Sequence, residues 1–342
     1  MMESPSLLSI QSMISSNNNH TDTNMNENFH SWFELIGTLF FDYPINLEKL
    51  TKYFRNNWQI SIYYSALYLI LVLIGTRWMK NRQPYNLRLL LAIWSGTLSL
   101  FSMVGTINTW PEFVKMFWHN GFVSTYCNNS YIDDDNLIFW YTIFSLSKLL
   151  ELFDTAFIVL RKQNLLTLHW IHHILTFVYT FYIFGFKAAT ARWMVTMNLA
   201  VHSVMYGYYA LRAMKISIPR QIAMAITGAQ IVQMIFGLII HGHITWLKLF
   251  SKQQQCDCPF NGIIYGLLMY LLYFYFFVQF FIDSYFNKPT KTTKQSKENG
   301  EIGYCQKSST KEYSSDKCYI DDIINNNINH LQHHDRKMKK FQ

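Results

Sequence analysis

Residues 165–186 read LLTLHWIHHILTFVYTFYIFGF. The stretch is long enough to cross a bilayer, and its only ionisable side chains other than tyrosines are His169, His172 and His173. Their spacing of i, i+3 and i+4 puts the three imidazoles on one face of a helix. Ionisable groups are costly in hydrocarbon and usually face a bundle interior or a water-filled cavity. The segment therefore predicts a functional site at membrane depth.

The rest of the chain surrounds this segment with further apolar stretches. Half of the 342 residues are hydrophobic and 17% are aromatic, yet the mean hydropathy is only +0.04 because two polar tails dilute the apolar middle. Stretches of roughly 17 or more mostly apolar residues predict membrane-spanning helices. Such stretches predict an all-α polytopic membrane protein with seven spans, at 60–76, 89–110, 137–160, 165–186, 193–211, 221–247 and 260–282.

Basic residues cluster in alternate connections between these spans, whereas the second connection carries Asp133, Asp134 and Asp135. Cytosolic connections carry an excess of Lys and Arg, so the pattern predicts a lumenal N-terminus and a cytosolic C-terminus. The net charge of +8 then reflects topology and attraction to the membrane surface, not nucleic-acid binding. The orienting residues are Arg77, Lys80, Arg82, Arg88, Arg161, Lys162, Arg212, Lys215 and Arg220, with Lys187, Arg192, Lys248 and Lys252 as exceptions on the other side.

Two polar tails flank a single transmembrane domain. We expect residues 1–34 to be a disordered lumenal segment, residues 35–286 to form the seven-helix domain, and residues 287–342 to be a disordered cytosolic tail. The chain ends Lys339-Lys340-Phe341-Gln342, which resembles a dilysine retrieval signal. This ending predicts a location in the endoplasmic reticulum membrane.

The predicted lumenal side carries residues that suit an oxidising compartment. Cys127, Cys256 and Cys258 lie in connections on that side, so we expect Cys127 to pair with either Cys256 or Cys258. Asn19 and Asn128 begin glycosylation sequons on the same side.

Three other spans carry polar stripes at helical spacing. We expect these stripes to meet the histidines of span 165–186 and to support them. The alternative is that the polar residues of these stripes hydrogen-bond to one another and only hold the helices together. The stripes are Lys148, Glu151, Asp154 and Thr155 in the third span, Asn198, His202, Met205 and Tyr206 in the fifth, and Thr227, Gln230 and Gln233 in the sixth.

Three uses of the histidines can be compared. The motif His-x-x-His-His resembles that of membrane di-iron desaturases and hydroxylases, but His169, His172, His173 and His202 are too few for those enzymes, so we expect no metal. Nucleophilic or general-base catalysis is the second use, and imidazole is the best candidate because no cysteine lies in a span at that depth. A non-enzymatic seven-helix receptor or transporter is the third reading, and it leaves the histidines unexplained.

Four motifs in order resemble those of the fatty-acid elongases of very-long-chain fatty acids, over about residues 57–285. Leu168-His169-Trp170 and Thr196-Met197-Asn198 are most similar to the branch that acts on saturated and monounsaturated acyl chains, although Ile171 departs from its usual aromatic residue. The motifs are Lys148-x-x-Glu151-x-x-Asp154-Thr155, His169-x-x-His172-His173, His202-x-x-Met205-Tyr206-x-Tyr208-Tyr209 and Thr227-x-x-Gln230-x-x-Gln233.

The resemblance implies a 3-oxoacyl-CoA synthase that condenses a long-chain, palmitoyl-like acyl-CoA with malonyl-CoA and releases CO2 and CoA. It also implies a barrel of six helices around an acyl tunnel, with the first span outside and the tunnel open to the cytosol. No cofactor is expected. Membrane lipid surrounds the protein, and its partner enzymes are the 3-oxoacyl-CoA reductase, the dehydratase and the enoyl reductase. Assembly into a homo- or hetero-oligomer stays open.

The resemblance also suggests roles for individual residues. We expect His172 to attack the thioester and form an acyl-imidazole, and His202 to orient or activate it or to hold the enolate. His169 and His173 would position CoA and the departing carboxylate, while Glu151 and Asp154 orient imidazoles. A one-step condensation with histidine as base is the alternative. Cations are needed for the CoA phosphates, and the candidates are Arg88, Arg161, Lys162, Arg212 and Lys215.

Overall fold

A computed structural model of the chain describes residues 47–251, residues 256–286 and two strands at 295–298 and 301–304. The predictions for segment 1–34, Asn19, Lys339 and Lys340 lie outside these residues. Residues 47–251 and 256–286 contain helices and connections without strands, which confirms the predicted all-α class for this part of the chain.

The helices of the described part follow the apolar stretches of the sequence. Four of them, α2, α3, α8 and α9, are long and apolar enough to cross a membrane. Helices α6 and α7, which carry His169, His172, His173 and His202, are not among these four. The described helices are α1 Leu47–Asn57, α2 Ile60–Met79, α3 Arg88–Cys127, a 3₁₀-helix Ser130–Asp133, α4 Asp135–Glu151, α5 Asp154–Leu160, α6 Thr167–Gly185, α7 Ala191–Ala213, α8 Arg220–Phe250 and α9 Phe260–Tyr285.

The prediction of one continuous helix over 137–160 is wrong. Helix α4 ends at Glu151 and α5 begins at Asp154. Around the break the backbone makes tight i to i+3 hydrogen bonds, such as Phe153 N to Leu150 O at 3.0 Å and Ala156 N to Phe153 O at 2.9 Å. Such bonds are typical of the short 3₁₀ turns that connect helices. Glu151 before the break and Asp154 after it have different partners.

Helix α3 is much longer than the predicted span 89–110, because it continues through Pro111 to Cys127. Its backbone is non-helical at Gly121, where φ is +79°, a conformation that residues with a Cβ rarely adopt. Beyond this break Phe122 packs edge-on against Trp193. The added segment therefore covers the start of α7, in a region that the sequence assigned to a connection.

The helices pack in a closed circuit. Helix α3 packs along α7, α7 on α8, α8 along α9, α9 on α6, α6 on α4, and α4 back on α3. Helix α2 contacts α5 and α6, and α1 contacts α6, so both lie beside the circuit.

One end of the bundle is held by a fully buried arginine, Arg192, at the start of α7. Its Nε donates to Glu112 Oε2 at 3.0 Å. One terminal nitrogen donates to the carbonyl oxygens of Thr125 at 2.9 Å and Asn128 at 2.6 Å. The other terminal nitrogen contacts Glu112 and Ser130. All three guanidinium nitrogens thus have acceptors, which a buried charge requires. This pairing explains why Arg192 could be an exception to the charge pattern of the connections.

We expect Arg192→Met to destabilise the protein by about 3 kcal/mol, because it leaves the Glu112 carboxylate unpaired and removes the donors to the buried carbonyl of Thr125 and to the carbonyl of Asn128. The apparent Tm in detergent should fall by several degrees relative to Lys115→Met, which removes the same charge from an exposed position of α3. Equal Tm values for the two variants would contradict the role given to Arg192.

A disulfide joins Cys127 at the end of α3 to Cys256 before α9. The backbone reinforces the link, since Asp257 N donates to Cys127 O at 2.9 Å and Ala189 N donates to Asp257 O at 2.8 Å. Cys258 is a free, buried thiol. Burial raises its pKa, so the thiol stays protonated at neutral pH and is a poor nucleophile.

The C-terminal segment contains a short antiparallel hairpin of β1 Gln295–Glu298 and β2 Glu301–Tyr304. The two residues between the strands are Asn299 and Gly300, the dipeptide most typical of a tight hairpin turn. The prediction of disorder for 287–342 stays a prediction. The rest of that tail lies outside the described residues.

Candidate active site

A cavity of about 320 Å³ lies between α6, α7, α8 and α9. His169, His172 and His173 of α6 and His202 of α7 all line it. The cavity also reaches Leu166 before α6, Ala223 near the start of α8, Tyr209 near the end of α7 and Tyr285 at the end of α9. It therefore lies toward the end of the bundle where α6 and α8 begin and α7 and α9 end, opposite the Arg192 end. We call this the cavity end.

A hydrogen-bonded relay of four buried side chains links α4 to His202. Lys148 Nζ donates to Glu151 Oε1 at 2.7 Å and to Asn198 Oδ1 at 2.8 Å. Asn198 Nδ2 lies 3.2 Å from His202 Nε2, and Glu151 Oε1 lies 3.8 Å from His202 Nδ1. The motif residues of the third and fifth spans are thus brought together around one imidazole.

The relay assigns the tautomer of His202. A lysine ammonium can only donate, so it holds the oxygen of the Asn198 amide and turns the NH2 group toward the histidine. His202 Nε2 must then accept, which leaves the proton of the neutral ring on Nδ1. His202 can therefore donate a hydrogen bond through Nδ1, on the side of Glu151.

Asp154, after the break between α4 and α5, has different partners. Its Oδ1 accepts from Trp94 Nε1 at 2.6 Å and its Oδ2 accepts from Tyr206 OH at 2.7 Å. Asp154 and Tyr206 both line the cavity. The carboxylate thus holds Tyr206 of α7 against α3, and it makes no hydrogen bond to an imidazole in the part of the chain that the structure describes.

Two imidazoles of α6 are placed by their neighbours. His169 Nε2 hydrogen-bonds with Thr155 Oγ1 at 3.0 Å, and Thr155 Oγ1 in turn hydrogen-bonds with Tyr68 OH at 2.7 Å. The ring of the buried His173 lies 4.4 Å from that of His169, measured between centroids. Tyr68 and Trp94 were missed by sequence reasoning because each is an unremarked aromatic in an apolar span and belongs to no motif.

The rings of His172 and His173 receive no hydrogen bond from a side chain among the described residues, and His172 is the less buried of the two. The ring of His172 packs against Tyr273 at 4.9 Å and against His173 at 5.5 Å, measured between centroids. Tyr273 OH donates to the backbone oxygen of His172 at 3.0 Å, which fixes the backbone and leaves both ring nitrogens unoccupied. His172 is therefore the more accessible of the two imidazoles whose ring nitrogens are available to a substrate.

The polar stripe of α8 lines the cavity but does not join the relay. Gln230 Nε2 lies 3.2 Å from Met205 Sδ, and Thr227 Oγ1 donates to Ala223 O at 3.1 Å. Gln233 is buried, and within the described residues its amide has no hydrogen-bond partner. We expected Gln230 and Gln233 to support the imidazoles. Among the described residues, neither side chain makes a direct hydrogen bond to an imidazole.

The five basic residues proposed for CoA lie outside the cavity lining. Arg88 begins α3, whereas the other four lie in the α5–α6 connection or around the end of α7, at the cavity end. Lys162 Nζ donates to Lys80 O at 3.1 Å. Arg88, Arg212 and Lys215 are exposed, and Arg161 and Lys162 are half-buried.

Across residues 47–251 and 256–286, no group of three or more His, Cys, Asp and Glu side chains is arranged to hold a metal ion.

Together, the apolar helices and the cavity between them define a multi-pass membrane protein with a histidine-lined site between its helices. Comparison with known proteins agrees with the motifs, because the ELO family, described as the GNS1/SUR4 family, matches residues 53–293. The chain belongs to this family of fatty acid elongases.

Individual relatives match over most of their length. Long chain fatty acid elongase 2 of Caenorhabditis elegans is 39% identical over 255 residues, which cover 74% of this chain and 93% of the relative. Very long chain fatty acid elongase 6 of Homo sapiens is 38% identical over 255 residues, covering 74% and 95%. Very long chain fatty acid elongase 3 of Homo sapiens is 34% identical over 262 residues, covering 76% and 96%.

Proposed function

We propose that this protein is the condensing enzyme of fatty-acid elongation, a 3-oxoacyl-CoA synthase of the endoplasmic reticulum membrane. It joins a long-chain acyl-CoA to malonyl-CoA and delivers 3-oxoacyl-CoA to a reductase. The reduced product then passes to a dehydratase and to an enoyl reductase. The observation that carries the proposal is the convergence of four imidazoles from α6 and α7 on one cavity, beside the Lys148–Glu151–Asn198–His202 relay.

The architecture we propose has seven spans, six of which surround the acyl tunnel as a barrel. Helices α3, α4 with α5, α6, α7, α8 and α9 form the barrel, and α2 lies outside it. The closed packing circuit supports this arrangement, as does the position of α2 beside that circuit. The cavity end faces the cytosol and the N-terminus faces the lumen, in line with the basic connections at that end.

The cytosolic orientation would place cations beside the mouth of the cavity. At the cavity end, Arg161 and Lys162 lie in the α5–α6 connection, Arg212 in the last turn of α7 and Lys215 just after that helix. Their charges would be available there to the CoA phosphates. An apolar tail would run from there into the bundle, whose interior is lined by aromatic and aliphatic side chains.

In the first chemical step an imidazole nitrogen of His172 attacks the thioester carbon. The C–S bond breaks, the acyl group is transferred to nitrogen, and CoA leaves as a thiolate that takes up a proton. The available ring of His172 supports this role, because a nucleophile must reach the substrate with a free lone pair.

In the second step malonyl-CoA loses CO2, and the electron pair of the broken C–C bond forms an enolate. The enolate carbon attacks the acyl-imidazole, a new C–C bond forms, and the C–N bond to His172 breaks. The product is 3-oxoacyl-CoA, and His172 is regenerated without a redox partner. Direct condensation with His172 as a base is the alternative, and trapping an acyl-enzyme without malonyl-CoA separates the two.

His202 would act as a hydrogen-bond donor in both steps. Asn198 occupies its Nε2, so Nδ1–H is the group left to stabilise an oxyanion or the enolate oxygen. Glu151, near Nδ1, favours the protonated nitrogen on that side. His169 and His173 would position CoA and the departing carboxylate.

We expect the long-chain acyl-CoA substrates to be saturated or monounsaturated. The segments Leu168-His169-Trp170 and Thr196-Met197-Asn198 support this choice through their resemblance to that branch. The names of two relatives, very long chain fatty acid elongases 6 and 3, are consistent with long acyl chains.

Microsomes that contain the protein should incorporate labelled malonyl-CoA into 3-oxoacyl-CoA when palmitoyl-CoA is supplied without reduced nicotinamide cofactor, since condensation precedes reduction. Microsomes from the same host without the protein provide the background. A rate at background for every saturated, monounsaturated and polyunsaturated acyl-CoA tested would reject the proposed function.

A further inference from the structure

A residue of α2, the helix beside the packing circuit, is connected to the histidine-lined cavity through one side chain. Tyr68 of α2 is buried, with only 7% of its side chain exposed. Its OH lies 2.7 Å from Thr155 Oγ1 of α5, and the same Oγ1 lies 3.0 Å from Nε2 of His169. His169 lines the cavity, whereas Tyr68 and Thr155 do not. The three groups thus form a hydrogen-bonded chain from α2 to the cavity wall.

The direction of this chain follows from the protons in it. Thr155 carries one hydroxyl proton and can donate only once. Among the described residues, Thr155 is the only hydrogen-bond partner of the Tyr68 hydroxyl. If Thr155 donated to Tyr68, the tyrosine proton would have no acceptor, and a buried donor without an acceptor is costly, above all in a membrane. Tyr68 therefore donates to Thr155, and Thr155 donates to His169 Nε2.

This direction assigns the tautomer of His169. Because Nε2 accepts, the proton of the neutral ring lies on Nδ1. No group in the part of the chain that the structure describes hydrogen-bonds to this Nδ1, so Nδ1–H is the donor left for a ligand in the cavity. His202 is held in the same tautomer through Asn198. Helices α6 and α7 thus each offer one Nδ1–H group.

The charge of the cavity lining indicates which substrate group this donor serves. Within residues 47–251 and 256–286, no lysine or arginine lines the cavity. A substrate carboxylate inside it would therefore be held by neutral donors, and malonyl-CoA brings such a carboxylate. A neutral N–H orients the carboxylate without the ground-state stabilisation of a salt bridge, which would oppose the loss of CO2.

We propose that Tyr68 is a positioning residue, which acts through Thr155 to hold His169 as an Nδ1–H donor to the malonyl carboxylate. When the C–C bond to that carboxylate breaks, CO2 leaves the donor and the electron pair forms the enolate. Helix α2 then contributes to the chemistry as well as to membrane anchoring. The inference rests on the proposed function, and it adds to that site a residue from outside the packing circuit.

The first measurement is the ¹⁵N NMR spectrum of the full-length protein labelled at its histidines. The protonated and the bare nitrogen of a neutral imidazole give well-separated signals, and the signals lost in His169→Gln identify this ring. The wild type should carry the proton on Nδ1. Tyr68→Phe should show both tautomers, because Thr155 is then free to accept from Nε2. Tyr63→Phe makes the same change on a 74% exposed ring of α2 and should match the wild type.

The second measurement is the rate of condensation in microsomes at varied malonyl-CoA concentration. Tyr68→Phe should lower kcat/KM for malonyl-CoA by about fivefold, the factor that one ordinary hydrogen bond contributes, and should leave KM for palmitoyl-CoA unchanged. Thr155→Val should lose more, whereas Thr155→Ser keeps the hydroxyl and should restore the wild-type value. A purely structural role would lower the apparent Tm without this difference between the two substrates.

A wild-type His169 with its proton on Nε2 would overturn the inference. The same follows if Tyr68→Phe and Tyr63→Phe have equal kcat/KM for malonyl-CoA. If the wild type condenses no acyl-CoA at all, the proposed function is rejected together with the role toward malonyl-CoA, and the NMR spectrum decides the tautomer by itself.

Discussion

Replacing His172 with alanine is expected to abolish condensation, with a loss in kcat of about 10³-fold or more. Of the four cavity-lining imidazoles, His172 and His173 have rings without a hydrogen-bonded side chain among the described residues, and the less buried His172 is the one we expect to supply the free nitrogen. Alanine removes that nitrogen, while Tyr273 continues to hold the backbone oxygen of position 172. The measurement is the initial rate of 3-oxoacyl-CoA formation by purified protein.

His119→Ala is the matched control, because it removes an exposed imidazole of α3 far from the cavity lining. Incubation with radiolabelled acyl-CoA alone should label the wild type and His119→Ala on a peptide that contains residue 172. The His172→Ala protein should carry no such label. Wild-type turnover by a correctly folded His172→Ala protein would disprove the assigned role.

Asn198→Asp is expected to reduce kcat by about 10²–10³-fold while it preserves folding. An aspartate oxygen still accepts from Lys148, but its second oxygen accepts from His202 Nε2 where the amide donated. The proton of the neutral imidazole therefore moves from Nδ1 to Nε2, and the donor for the oxyanion is lost. Removal of one oxyanion donor carries a penalty of about this size in other enzymes.

The loss should fall on kcat, since the substituted group acts on charge that develops during reaction. Asn136→Asp makes the same chemical change at an exposed position in the first turn of α4, where an acidic side chain is favourable, and should leave kcat and the apparent Tm as in the wild type. If Asn198→Asp turns over at the wild-type rate, His202 does not act through Nδ1–H.

Much of the candidate site was readable from helical periodicity. The spacing of His169, His172 and His173 determines that they share a face whatever surrounds the helix. The same holds for the stripe of Asn198 and His202. Because a polar stripe in an apolar helix must avoid lipid, we predicted that these faces turn inward, and all five residues line the cavity.

The break between the helices at Glu151 and Asp154 could not be predicted from the sequence, since the residues around it fit a continuous helix. Its effect depends on partners distant in the chain: Glu151 meets Lys148 and lies near His202, and Asp154 meets Trp94 and Tyr206. Trp94 and Tyr68 gave no signal because an aromatic residue is ordinary in a membrane span. The burial of Arg192 could not be predicted from the sequence either, because its acceptors lie 62–80 residues away along the chain.

The sequence by itself determined the helical class, the apolar spans, the inward polar faces and the family, because each depends on local periodicity and on the order of motifs along the chain. Only the tertiary structure decided that Cys127 pairs with Cys256, that His172 keeps unoccupied nitrogens and that Asn198 assigns the tautomer of His202. These features depend on how separate helices pack. A one-dimensional pattern records which residues share a helix face, but not which faces meet.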